Sequence, residues 1–122
     1  KYGWHSLIRG GFNESKEVDM AGHSWFMKRS SLSYIAREMP YSFENGEDLF
    51  FSYVINKYAK IPIKVAPHKT NEPENWSCDY NKGMKMGNDE NATWRLDNHL
   101  PIRDASVKYY LNSGWKLVKD KK

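Results

Sequence analysis

The chain has 122 residues, a net charge of +4, five Trp and eight Tyr. That length suits one modest domain with a small core and leaves no room for a second. The charge excess is mild and no Lys/Arg run is interleaved with aromatics, so no nucleic-acid partner is expected.

Residues 2–12 hold Gly3, Gly10 and Gly11 and read as strand or loop. Residues 18–27 are a buried-strand candidate: Val18, Met20, Ala21, Trp25, Phe26 and Met27 surround Gly22-His23-Ser24. The glycine inside it suggests a bulge or a close approach by another group. Ser30 or Ser31 can cap a short helix over 32–38, which Pro40 stops. A loop over 41–44 follows. Asn45 is then expected to cap a second helix, from 47 to about 59, with Leu49, Phe50, Tyr53, Val54 and Tyr58 as its apolar face. Residues 61–65 read as a short strand, and Pro62 assigns it to an edge or a strand start. Residues 69–101 are polar and rich in Asn, Asp and Gly, the pattern of a functional lid or a disordered segment. A third helix is expected over 102–112, with Gly114 as its stop. Residues 115–118 could add a final strand. This order suits an α/β or α+β unit, with few strands for a complete sheet.

Cys78 is the single cysteine, so no internal disulfide can form. That usage leans towards a reducing, cytoplasmic compartment. No apolar run reaches membrane-spanning length, so no membrane span is expected. The chain opens at Lys1 with no visible signal peptide, so a processed, trimmed or truncated product is expected. Asn13-Glu14-Ser15, Asn75-Trp76-Ser77 and Asn91-Ala92-Thr93 fit the glycosylation acceptor pattern, which matters only in a secreted protein. Lys116, Lys119, Lys121 and Lys122 form a basic tail that favours anionic partners, and ordinary solubility charge explains it equally well.

The most informative stretch is Asn45-Gly46-Glu47-Asp48-Leu49-Phe50-Phe51-Ser52-Tyr53. Two acids at a helix start offset the positive end of the helix dipole, worth about 0.3–1 kcal/mol. A carboxylate held rigidly there is also placed to act as a general base, with Gly46 leaving room for a ligand. His68 follows a strand and a proline. It reads either as a surface residue or as a metal ligand, and no second ligand lies at short spacing from it. His23 and Ser24 are sequence neighbours on a strand, so their side chains point to opposite faces and make no nucleophile–base pair. Lys28 and Arg29 could face a phosphate or be solvated. Trp25, Trp76 and Trp94 could stack on a sugar, with Trp25 better placed in the core. The chain lacks a dinucleotide fingerprint, a P-loop, a cysteine cluster and any Asp-x-Asp.

Three segments, in order, resemble the second half of a GT-A-fold glycosyltransferase, most like family 2. Val18-Asp19-Met20-Ala21-Gly22-His23-Ser24-Trp25-Phe26-Met27-Lys28-Arg29 resembles the strand after the nucleotide-binding half. Asn45-Gly46-Glu47-Asp48-Leu49-Phe50-Phe51-Ser52-Tyr53 is similar to the Glu-Asp motif at the start of the acceptor-side helix. Lys57-Tyr58-Ala59-Lys60-Ile61-Pro62-Ile63-Lys64-Val65-Ala66-Pro67-His68 resembles the following helix end, strand and post-strand histidine. The resemblance implies a partial GT-A, Rossmann-like α/β fold. It implies Asp48 as the base that deprotonates the acceptor hydroxyl, with Glu47 orienting acceptor or motif. Gly22 and His23 would lie by donor sugar and acceptor. Ser24, Trp25 and Arg29, with Asn45 and Gly46, would line the substrate site, and His68 would contact a metal or diphosphate. The long loop would cover the donor.

The same resemblance implies a nucleotide-sugar donor, a glycan acceptor and a divalent metal, manganese or magnesium, as Lewis acid in the complete enzyme. The metal-binding Asp-x-Asp and the donor-binding βα units would lie before residue 1. These residues alone are therefore expected not to transfer sugar. The missing half, or a second copy of the chain, is an expected partner. Two other readings stay open. One is a non-catalytic module that binds glycan or protein through Trp and Tyr. The other is a small hydrolase using Glu44, Glu47 or Asp48 as paired acids.

Overall fold

The computed structural model describes residues 12–22, 25–67, 69, 71 and 90–121. Among them are helices and one small sheet, an α/β composition in the broad sense. Strands β1 (Lys16–Glu17) and β2 (Lys64–Val65) pair antiparallel, Lys16 opposite Val65 and Glu17 opposite Lys64. The Val18 N–H extends the pairing by donating to the Ile63 carbonyl at 2.9 Å. Phe12, Val18 and Val65 close a small apolar cluster beneath it.

Among the described residues of 18–27 the expected strand does not form. Val18 and Met20 turn inward, but Trp25 and Met27 are 37% exposed and Phe26 is 101% exposed. Among the described residues the partner strand β2 is two residues long, which leaves no longer ladder to join. The strand expected over 61–65 narrows to β2 itself, with Pro62 before it, where its missing N–H costs no ladder bond.

A 3-10 helix, Arg29–Arg37, stands where a short helix was expected. Nine residues is long for that geometry. Neither Ser30 nor Ser31 caps it, since Lys28 holds the cap position and no side-chain cap bond forms. Helix α1 (Glu47–Val54) starts where expected and runs on as a π turn, Ile55–Ala59, so the helical stretch ends as the apolar pattern predicts. Lys60, with φ 54°, stops it in the left-handed conformation. Asn45 does not cap α1. Gly46 takes that position at φ 92°, a left-handed backbone that favours glycine.

Helix α2 (His99–Asn112) begins three residues before the expected start. Pro101 is tolerated because first-turn N–H groups have no intrahelical partner. Gly114, at φ 101°, ends it as expected. Thr93–Arg95 forms a 3-10 turn, so residues 90–101 are not all loop. Residues 115–118 make no strand. Trp115 and Leu117 point inward along an extended segment, and Val118–Asp120 turns as 3-10. Asp19 Oδ1 accepts the Val118 N–H at 2.6 Å and ties this segment to the first.

The main core lies between α1 and α2. Leu49, Phe50, Tyr53 and Val54 meet Val107 and Tyr110, with Met20, Trp115 and Leu117 closing the ends. Each such side chain contributes roughly 1.5–3 kcal/mol on burial. Tyr53 and Tyr110 stack at 4.6 Å, and the Trp115 ring meets Tyr110 edge-on at 6.3 Å. Among the described residues no helix is long and apolar enough to cross a membrane. The expectations for residues 2–11, for Trp76 and Cys78, and for most of 69–89 lie outside the described residues.

Candidate functional site

Glu47 and Asp48 open α1, yet the helix turns them to different surroundings. Glu47 is exposed; Asp48 is buried against α2. Arg103 donates from Nη1 to Asp48 Oδ1 and from Nη2 to Oδ2, both at 2.9 Å. The Leu49 N–H adds a third bond to Oδ1 at 2.8 Å. The side chains of Arg103 and Asp48 are only 10% and 13% exposed. A two-pronged guanidinium–carboxylate pair in such a place fixes the orientation of both groups. Met20 Sδ lies 3.3 Å from Arg103 Nη2, so the segment after β1 meets the pair as well.

Gly46 is buried beside this turn. A Cβ there would lie 3.7 Å from both Leu49 Cδ1 and Ser106 Oγ. The glycine thus serves the left-handed turn and close packing on α2. Asn45 is also buried. Its Nδ2 donates to the His99 carbonyl at 3.5 Å, while its Oδ1 has no partner among the described residues.

The Trp25 indole lies 5.1 Å from the Phe51 ring, and its Nε1 donates to the Ala21 carbonyl at 2.7 Å. It is half-exposed rather than core. Phe51 follows Glu47 by four residues, so the two share a helix face. Trp25 therefore stands on the Glu47 side of α1. Gly22 is half-buried two residues after Met20, and Arg29 is exposed at the start of the 3-10 helix. Among the described residues no hydrogen bond or ion pair joins Arg29 to the acid turn. The structure thus brings together Asn45, Gly46, Glu47 and Asp48 on one turn, with Trp25 against Phe51 a turn further on. His23, Ser24 and His68 lie outside the described residues.

Two residues of this cluster escaped sequence reasoning, Arg103 and His99. The sign for Arg103 was its place on the helix: with Val107 and Tyr110 it makes an i, i+4, i+7 stripe, and those positions are buried. A charge on a buried stripe demands an opposite charge. His99 sits one turn earlier. Burial, then the nearby Arg103 guanidinium, holds its imidazole below the ordinary value, against the pull of Asp48, Glu47 and the Thr93 backbone.

The pH dependence follows. In the folded chain His99 titrates below 6.5, its ordinary value, so within that window the unfolded chain binds the extra proton. The His99 contribution to stability is whole above pH 6.5 and falls as the pH drops through the window. His99→Gln should flatten this slope, which urea melts across about pH 5–8 would read. An unchanged slope would exclude His99 as its source.

A second cluster lies behind α1. Glu38 accepts hydrogen bonds from Tyr53, Lys57 and Tyr58. Burial raises the Glu38 carboxyl, but these three bonds together leave it below its ordinary value. The hydrogen bond to Glu38 pushes the Lys57 ammonium up. Arg37 lies 5.0 Å and 5.1 Å from the Tyr34 and Tyr58 rings, which are parallel to within 3°. These contacts staple the 3-10 helix to the π turn.

Among the described residues no group of three His, Cys, Asp or Glu could hold a metal ion. Asp48 is engaged by Arg103, so the described residues do not fit a divalent cation. Nor do Glu47 and Asp48 face one another across a cleft, as a carboxylate pair for glycoside hydrolysis must. Comparison with protein-family models, curated proteins and solved structures gives no significant match.

Proposed function

We propose that these residues form the acceptor-side part of a GT-A glycosyltransferase of the family 2 type. The complete enzyme transfers a sugar from a nucleotide-sugar donor to a carbohydrate or glycoconjugate acceptor. Asp48 is the base, and Glu47, exposed on the same turn, orients the acceptor. One observation carries this reading. The first of the three resembling segments contacts each of the other two: Met20 lies against Arg103, the partner of Asp48, the Trp25 ring lies against Phe51, and Ile63 takes the Val18 N–H. The donor-binding Asp-x-Asp half is supplied by sequence outside these residues.

The test is a panel of nucleotide sugars with manganese, offered to the 122-residue chain and to the chain joined to a donor half. Turnover is expected only from the joined protein. Robust transfer by the isolated chain, or none by the joined one, would sink the reading. A second reading, a non-catalytic glycan- or protein-binding module, draws on one observation: Phe26, Phe43, Trp94 and Tyr41 are exposed aromatics. Oligosaccharide binding by the isolated chain, without nucleotide or metal, is its signature.

A further inference from the structure

The Asp48 carboxylate has about four acceptor positions. Among the described residues three are filled: two on Oδ1, by Arg103 Nη1 and the Leu49 N–H, and one on Oδ2, by Arg103 Nη2. The remaining position belongs to Oδ2. We propose that Arg103 is a positioning residue for sugar transfer, turning the Asp48 carboxylate so that Oδ2 receives the acceptor proton. The inference rests on the glycosyltransferase reading above.

The acceptor O–H proton passes to Asp48 Oδ2. The oxygen pair so freed forms the bond to the anomeric carbon of the nucleotide sugar. The bond from that carbon to the nucleoside diphosphate breaks, and the diphosphate leaves with its electron pair. Attack of this kind is sensitive to aim, and a misplacement of about 1 Å costs on the order of 10²-fold in rate.

Arginine is required by shape as well as by charge. Its planar fork holds both carboxylate oxygens at once, whereas lysine offers a point charge on a flexible stem. A lysine at 103 keeps a cation opposite Asp48 and frees the carboxylate to rotate. Arg103 comes from the second turn of α2, beyond the reach of the acceptor motif itself, and Met20 lies against its Nη2. It acts through Asp48 and need not touch substrate.

The experiment compares Arg103→Lys and Asp48→Asn with the unsubstituted complete enzyme, on the nucleotide sugar found to turn over. Arg103→Lys is expected to lower kcat by about 10²-fold while the donor KM moves by less than about threefold. Guanidinium ion added to Arg103→Ala is expected to restore part of the lost kcat, a rescue that a merely structural role does not give. If Asp48→Asn inactivates the enzyme while Arg103→Lys keeps its kcat, the inference fails and the glycosyltransferase reading stands. Failure of guanidinium to rescue a folded Arg103→Ala variant also overturns it. If the unsubstituted complete enzyme transfers no sugar, the reading fails and takes the inference with it.

Discussion

Arg103→Met is expected to lower the folding stability of this chain by about 3–5 kcal/mol. The loss does not come from the attraction between Arg103 and Asp48 alone, which desolvation of both groups largely offsets. It comes from what remains: a carboxylate 13% exposed, facing α2 without its partner. The double variant Asp48→Asn with Arg103→Met removes both charges and should regain much of the loss, because no buried charge is then left unpaired. Thermal melts of the two single variants and the double variant close the cycle. Equal, additive losses would mean that the pair is not coupled.

Asp48→Asn in the complete enzyme is expected to cut sugar transfer by about 10²–10⁴-fold, the usual worth of a general base. That variant alone is ambiguous, since it also strips Arg103 of its counter-charge. The double variant separates the effects: its melting temperature should recover while its turnover should not. Recovery of turnover together with stability would show that Asp48 is only a structural partner of Arg103. Glu47 is exposed and outside the ion pair. Glu47→Gln should therefore leave the melt unchanged and raise the acceptor KM.

The acid turn was legible because its signals are local. A glycine, two acids and an apolar run mark a helix start, and α1 begins at Glu47. The α2 stop at Gly114 was legible for the same reason. Asn45 was misread because its usual preference for the cap position gave way to Gly46, whose left-handed backbone sends the Asn45 amide towards α2. The run over 18–27 was misread because apolar content does not by itself supply a partner strand. The Asp48–Arg103 pair had no local signature, since its members are 55 residues apart. Only the buried stripe of α2 hinted at it, and a stripe does not name the residue across from it. The acid turn could thus be found in the sequence, while the group that holds it could not.

The π turn after α1 has its own consequence. In a regular α-helix a residue five positions on lies about 140° around the axis. Tyr53 and Tyr58 are five apart, yet both hydroxyls reach Glu38, with Lys57 between them. The widened turn makes that convergence possible by carrying one residue more than an α turn would. The Glu38 network therefore works as a gauge of helix winding. Were residues 55–59 wound as a regular α-helix instead, Tyr58 would swing away from Glu38 and the path into β2 would rotate, with every side chain kept. Spacing along this stretch, as much as residue identity, sets where the chain that follows α1 is delivered.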